Sequence, residues 1–307
     1  PPPPPPPPPF FFFKLTPAYE ILSGLVGSEM CIRDSPWEMQ ASILTSGQFK
    51  TTYKNLPELG DIDSDYIFDC SGKPDNYDNY KELINPINAC ILAEPNWNTA
   101  RNPWSRHVAT PDGWCFVIPT RKKSPSFKYC VGYCYNSDIT SKDDAEKNFL
   151  EMFDVSVTKH IQFKNYVAKE PVINNRIFLN GNRLFFLEPL ESSSTQTYIE
   201  MARAVFDYYL QGRVSAVHVK EDIIEYIKKL QNFVLWHYQF GSKYDTPFWE
   251  YAKTLTFKDE TFDKFLGYSK ISDCIPITYG GTTQNKTYAQ WPAYSFKNWN
   301  EGMTLNT

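Results

Sequence analysis

No run of about 18 apolar residues occurs in the chain, which excludes a membrane-spanning helix. Positive charge is not in excess: 31 Lys and Arg face 35 Asp and Glu, for a net charge of -4. The basic footprint of a general nucleic-acid binder is therefore missing. Histidine is scarce, at 4 residues, and none pair at metal-ligand spacing. The 7 cysteines are odd in number and scattered, with no CxxC, so neither a disulfide framework nor a zinc site is indicated. GxGxxG and GxxxxGK are absent too. A nucleotide-binding enzyme usually carries such a loop in its first βαβ unit. Either no dinucleotide is bound, or the beginning of the gene has been lost.

What is present is a long chain of 307 residues, enough for a sizeable core. Aromatics reach 16%. They suit an aromatic-walled cavity, although an aromatic core is the more ordinary cause. The first thirteen residues are a proline run followed by Phe10–Phe13. Such a run forms only an extended polyproline helix, and it lacks the basic start and long apolar stretch of a secretory signal. Glu20–Pro36, EILSGLVGSEMCIRDSP, resembles translated sequencing-adapter read-through. Residues 1–35 are accordingly expected to be non-native, the alternative being a proline-rich tail. The expected location is the cytoplasm.

Beyond that segment the apolar pattern is clearer. Asp65–Gly72, DYIFDCSG, reads as a buried strand and a tight turn. Residues 73–110 read as loops and short strands. Gly113–Pro119, GWCFVIP, reads as a strand that Pro119 ends. Residues 121–126 form a charged hairpin loop, and Phe127–Tyr135 is the returning strand. Cys130 and Cys134 share one face of it. Ser141 predicts an N-cap for a helix over Asp143–Phe153. Arg176–Asn180 is a further strand, entering Gly181. A helix follows over about Gln196–Gln211, with Ile199, Ala202, Phe206 and Leu210 as its apolar stripe and Gly212 closing it. Another spans Glu221–His237 on Ile223, Ile227, Leu230 and Val234. No internal repeat stands out.

The chemistry-bearing stretch is Glu188–Ser194. A proline-stiffened turn leads into a helix, whose first N–H groups lack intrahelical partners and favour an anion. Ser192, Ser193 and Ser194 leave small side chains there, so an anion or a flavin edge can approach. Glu191, beside them, can stabilise a developing cation or take a proton. The plainer reading is N-capping by serine and a dipole-favoured Glu. Trp114 and Phe116, two apart on a strand, face one side and wall either a tunnel or a core. Asp69–Gly72 is either a turn set against a flavin or an ordinary strand end.

Together these segments resemble the flavin-dependent tryptophan halogenase family. GWCFVIP is similar to the family's GWxWxIP, with Trp114, Phe116, Ile118 and Pro119 in register. Phe186–Thr195, FLEPLESSST, is similar to its FxEPLESTxI. His237-Tyr238 and Thr246–Trp249 resemble its HY…(S/T)PFW segment, and DYIFDCSG its DxSG turn. Trp291–Met303 fits its looser C-terminal region. The similarity runs in order from about residue 60 to the end.

The resemblance implies an α/β fold of the FAD-dependent monooxygenase (glutathione-reductase) type, truncated at its N-terminus, with a mainly helical C-terminal part. Residues 36–212 would be a partial flavin-binding and substrate-sheet core, and 213–307 the helical substrate region. It implies that FADH2, O2 and chloride or bromide give hypohalous acid, which halogenates an electron-rich aromatic such as tryptophan or an indole. A separate flavin reductase would supply FADH2, and a homodimer is allowed. Glu191 matches the catalytic glutamate and Ser192 the serine linking the two sites. Ser193 and Ser194 match the halide-binding pair. Gly181, Asn182, Thr195, Asp69 and Gly72 fall at flavin-contact positions, and Trp114 and Phe116 at the tunnel aromatics. Phe116 replaces a family Trp, and Ser193-Ser194 a Thr-Gly pair. The family's FAD loop and catalytic lysine belong to the missing part, so no lysine is assigned; Lys73 lies outside the matching segment. The chain by itself is expected to hold FAD poorly and to be inactive. A related flavin monooxygenase and a catalytically silent fragment stay open as alternatives.

Overall fold

The computed structural model describes residues 65–97, 105–120, 128–190, 193–269 and 287–304. The 1–35 segment, the 121–126 loop, Glu191 and Ser192 lie outside the described residues. In chain order the strands begin with β1 (Ile67–Asp69), β2 (Tyr80–Glu82), β3 (Ala89–Pro95), β4 (Arg106–Thr110), β5 (Gly113–Thr120) and β6 (Lys128–Tyr135). Helix α1 (Lys142–Met152) is followed by β7 (Val155–Gln162), β8 (Tyr166–Ala168), β9 (Val172–Ile173), β10 (Ile177–Leu179) and β11 (Phe185–Phe186). Helices α2 (Ser193–Arg203), α3 (Ala216–Phe240), α4 (Pro247–Thr254) and α5 (Glu260–Ser269) come next. The ladder of β12 (Thr287–Tyr288) and β13 (Trp291–Pro292) precedes α6 (Ala293–Thr304). The content is mixed α/β, and no described helix is long and apolar enough to cross a membrane.

These residues form two units. One comprises described residues within Ile84–Asn165 and Lys229–Thr307; the other comprises those up to Leu83 and within Tyr166–Lys228. Helix α3 passes from one to the other at Lys229.

The first unit is built on an antiparallel sheet in the order β4-β5-β6-β3-β7. Alternation gives it two different faces. Ile91, Cys115, Val131 and Tyr133 point to one, where Ala145 and Phe149 of α1 pack. Burying Phe149 contributes roughly 2–3 kcal/mol. Helix α1 starts as expected: the Ser141 hydroxyl accepts from the Asp144 N–H. The opposite face carries rows set by register: His107, Phe116, Gly132 and Leu92 in one, Ala109, Trp114, Cys134 and Cys90 in the next. Pro119 does not end its strand; β5 continues to Thr120, with Pro119 opposite Tyr129. Its missing N–H costs at most one ladder bond, not the pairing of its neighbours. Around β13 and α6, Phe233 stacks on Trp291 with ring centroids 3.8 Å apart, and Trp236 stacks on Phe296 at 5.5 Å.

The second unit holds two small sheets, β1-β10-β9 and β11-β8-β2. β1 and β10 run parallel. The second predicted helix is longer than its stripe, but Ile223, Ile227, Leu230 and Val234 are all buried. The first needs correction. Regular α-helix covers Ser193–Arg203, after which a π-helical turn runs from Ala204 to Tyr209. Its buried residues are Thr197, Met201 and Val205, whereas Ile199 and Phe206 are about half exposed, at 47% and 52%. Ile199 already faces outward within the regular helix, two places from Thr197 and from Met201, so the predicted stripe lies on the wrong face; the π turn shifts the period only after Arg203.

Candidate functional site

β1 and β10 end side by side. Their carboxyl ends deliver two turns, Asp69–Gly72 and Asn180–Arg183, tied by the Asn180 N–H to the Asp69 carbonyl at 2.9 Å. In parallel α/β sheets the crevice outside such strand ends is where ligands bind. Gly72 (φ 94°) and Gly181 (φ 60°) both adopt left-handed backbone, and a Cβ built on either meets nothing within 4 Å. Each glycine thus presents bare backbone to open space.

Asp69 is buried and organises the first turn. Its Oδ1 accepts the Ser71 N–H at 3.0 Å, and its Oδ2 accepts Arg183 Nε at 3.2 Å. The second turn is a single 3₁₀ turn, Gly181–Arg183, fastened by phenols. Tyr166 donates to the Asn182 carbonyl at 2.6 Å, Tyr80 to the Arg183 carbonyl at 2.8 Å, and Tyr198 to Asn182 Oδ1 at 2.7 Å. Burial raises the Tyr80 pKa, with Arg183 opposing the rise and Asp69 adding to it. Burial, then Tyr77 and Tyr80, raises that of Tyr166. Both stay protonated donors at neutral pH. Tyr198 belongs to α2, and its carbonyl accepts Asn180 Nδ2 at 3.1 Å, so the helix is bonded directly to the turn.

A cavity of about 630 Å³ in this unit is lined by Asp69, Asn79, Tyr80, Lys169, Glu170 and Arg183, among others. It brings Asp69 together with Arg183 but does not include Gly72, Gly181, Asn182 or Ser194. Arg183 and the tyrosines 80, 166 and 198 escaped the sequence reading. Only the position of Arg183, straight after Gly181-Asn182, offered a signal; the tyrosines act through partners distant in sequence.

α2 starts at Ser193, where the helix start was expected, and Ser194 and Thr195 are half-buried. Glu188, ahead of the turn, is fully buried. No group of three or more His, Cys, Asp or Glu residues able to hold a metal occurs among the described residues.

The other predicted residues belong to the first unit. Trp114 and Phe116 are buried with ring centroids 5.7 Å apart, tilted by 51°, on the same side of β5 as half-buried Ile118. Gly132, opposite Phe116, makes room for that ring: a Cβ there would sit 2.0 Å from Phe116 Cζ. The turn before β5 is held from three directions. Asp112 accepts Tyr133 at 2.6 Å, Asn148 at 2.8 Å and Thr140 at 3.0 Å. Burial, then Asp112, pushes the Tyr133 phenol well up, so it remains a donor. Thr246 donates to the Pro111 carbonyl at 2.6 Å and Trp249 Nε1 to the Thr110 carbonyl at 2.8 Å. Thr246 stands at the N-cap of α4 without capping it, because its hydroxyl points to that turn. Tyr238 packs on Phe248 and Trp249, and His237 Nδ1 lies 2.7 Å from the Phe233 carbonyl. The TPFW segment therefore fastens the turn that starts the GWCFVIP strand, and Tyr238 of the HY segment packs on TPFW.

The family model "Tryptophan halogenase" matches residues 58–301. Tryptophan 6-halogenase ThaL of Streptomyces albogriseolus is 26% identical over 208 residues, covering 65% of this chain and 38% of ThaL. Tryptophan 7-halogenase RebH of Lentzea aerocolonigenes is 24% identical over 245 residues, covering 71% of this chain and 45% of RebH. The crystal structure of MibH, a lathipeptide tryptophan 5-halogenase, superposes with a TM-score of 0.59 at 20% identity, over 78% of this chain and 48% of MibH. The chain spans less than half the length of these relatives.

Proposed function

Since the chain belongs to the tryptophan halogenase family, we propose that it is part of a flavin-dependent halogenase acting on an electron-rich aromatic. The observation that carries the reading is the paired turn at the carboxyl ends of β1 and β10, bonded through Tyr198 to the helix that begins at Ser193. The two turns suit a flavin. Gly72 and Gly181 let its phosphate or ring edge approach bare backbone, and buried Asp69 is already neutralised by Arg183. When bound, FADH2 supplies, with O2, the oxidising equivalents that turn chloride or bromide into hypohalous acid.

This chain's own residues bind and orient. Gly181, Asn182, Thr195, Asp69 and Gly72 hold the flavin; Asn182 Oδ1 is engaged by Tyr198, so its amide group is the donor it offers. The backbone N–H groups of Ser193 and Ser194, at the start of α2, hold the halide. Ser192 links this site to the arene. Glu191 stabilises the positive charge developing on the ring, or takes its proton. Trp114 and Phe116 form a bulky barrier on the path of the hypohalous acid, with Ile118 and Pro119 completing that strand. A separate reductase supplies FADH2, in the cytoplasm. The fold is of the glutathione-reductase type, and this chain alone is inactive.

The test is the complete gene product with a flavin reductase, FAD, bromide and a panel of tryptophan, indoles and phenols, read by mass spectrometry. A monobrominated arene is expected. A hydroxylated arene without any brominated one overturns the reading in favour of a monooxygenase.

A further inference from the structure

Cys90 and Cys134 face each other across β3 and β6. The Cys134 thiol donates to Cys90 Sγ at 3.6 Å. Directly opposed residues in an antiparallel pair have Cα atoms about 4.5–5.5 Å apart, inside the disulfide range of about 4.4–6.8 Å. The backbone is thus already placed for a bond, and the sulfurs need only a side-chain adjustment. In register, the next residue of the same row is Trp114, directly opposite Cys134 on β5. Cys134 is fully buried, while Cys90 keeps 6% of its surface exposed. A small oxidant therefore meets Cys90 first, with Cys134 in reach behind it. Cys115, although nearby, points to the other face with Tyr133 and cannot join the pair.

We propose that Cys90 and Cys134 are an oxidisable dithiol that closes to a cross-strand disulfide, the oxidant being hypohalous acid. The Cys90 sulfur attacks the halogen of the acid. An S–X bond forms and the X–O bond breaks, and the hydroxide released takes the thiol proton as water. The Cys134 sulfur then attacks Cys90 Sγ, forming the S–S bond and expelling halide and a proton. Two thiols lose two electrons, and the acid is reduced to halide and water. That the oxidant arises in the protein's own turnover rests on the halogenase reading; the chemistry of the pair does not. Among the described residues two other thiols are accessible, and half-buried Cys130 is held protonated by burial and then by Cys90 and Glu94. Cys70 is exposed, but partial burial of its sulfur and then the charge of Asp69 raise its pKa and hold it protonated.

The test adds the oxidant directly, so it stands whether or not the protein halogenates. The reduced 307-residue chain, in native buffer, receives one equivalent of hypochlorite and is then unfolded with excess alkylating agent. Chymotrypsin cuts after Tyr133 and separates Cys130 from Cys134. Mass spectrometry is expected to find the Cys90 and Cys134 peptides joined and two hydrogens lighter. Cys90→Ala and Cys134→Ala each abolish the linked peptide, and Cys115→Ala keeps it. Oxidation in guanidinium chloride gives mixed pairings instead. A native sample with the same mixed pairings, or with Cys90 and Cys134 both alkylated while other thiols are oxidised, overturns the proposal.

Discussion

Gly132 shows how one missing side chain shapes the aromatic face. Phe116 occupies the space that a Cβ would take, so Gly132→Ala forces the ring off its place. Overpacking of this kind costs about 1–3 kcal/mol, and a thermal melt should fall by several degrees. Under the proposed function Glu191 carries chemistry. In the complete enzyme Glu191→Gln is expected to lower halogenation by about 10²-fold or more, while hypohalous acid, trapped by a scavenging thiol or amine, still forms. Normal halogenation by that variant would remove Glu191 from its role. Asp259 makes a third case. Burial opposes its ionisation, but hydrogen bonds from Tyr288, the Phe262 N–H, Asn232 and the Thr261 N–H outweigh it and lower its pKa. A depressed carboxyl adds stability that is present above its unfolded value, near about 4, and is lost as pH falls through the lower folded value. Urea midpoints should fall as the medium is acidified below about pH 4. Asp259→Asn should flatten that acid limb and lower the plateau above it.

Among the elements, the turn between β4 and β5 depends on side chains from several others. Trp249→Phe deletes the donor to the Thr110 carbonyl while keeping an aromatic ring. A buried carbonyl left without that bond costs about 1–3 kcal/mol, read as a lower denaturant midpoint with an unchanged slope. The strands β1, β5, β6 and β10 were legible as short apolar runs, with Gly72 and Gly181 punctuating β1 and β10; Pro119, read as the end of β5, lies inside its ladder. α1 was legible through Ser141 and its acids. β7 was not, since VSVTKHIQ lies at the sheet edge and buries only Val155. Nor was the buried face of α2, because it is built on a polar residue, Thr197, with Met201, while the more apolar Ile199 faces outward. At the site, Gly181, Asp69 and the start of α2 were legible from local spacing. The bonds from Tyr80, Tyr166, Thr246 and Trp249 were not, since in each the partner is supplied by a distant stretch of chain.

For the molecule as a whole, two units share one chain, and α3 runs through both. Family membership rests on residues 58–301, whereas the chain covers only 38–45% of ThaL and RebH. The central claim of the proposed function concerns where the enzyme would hold its halide. Bromide scatters anomalously, so crystals of the complete protein with FAD, grown in bromide, test this most directly. The account predicts an anomalous peak within hydrogen-bonding reach of the Ser193 and Ser194 N–H groups, beside the flavin and next to Glu191. A fully occupied flavin with no bromide at the start of α2 would contradict it.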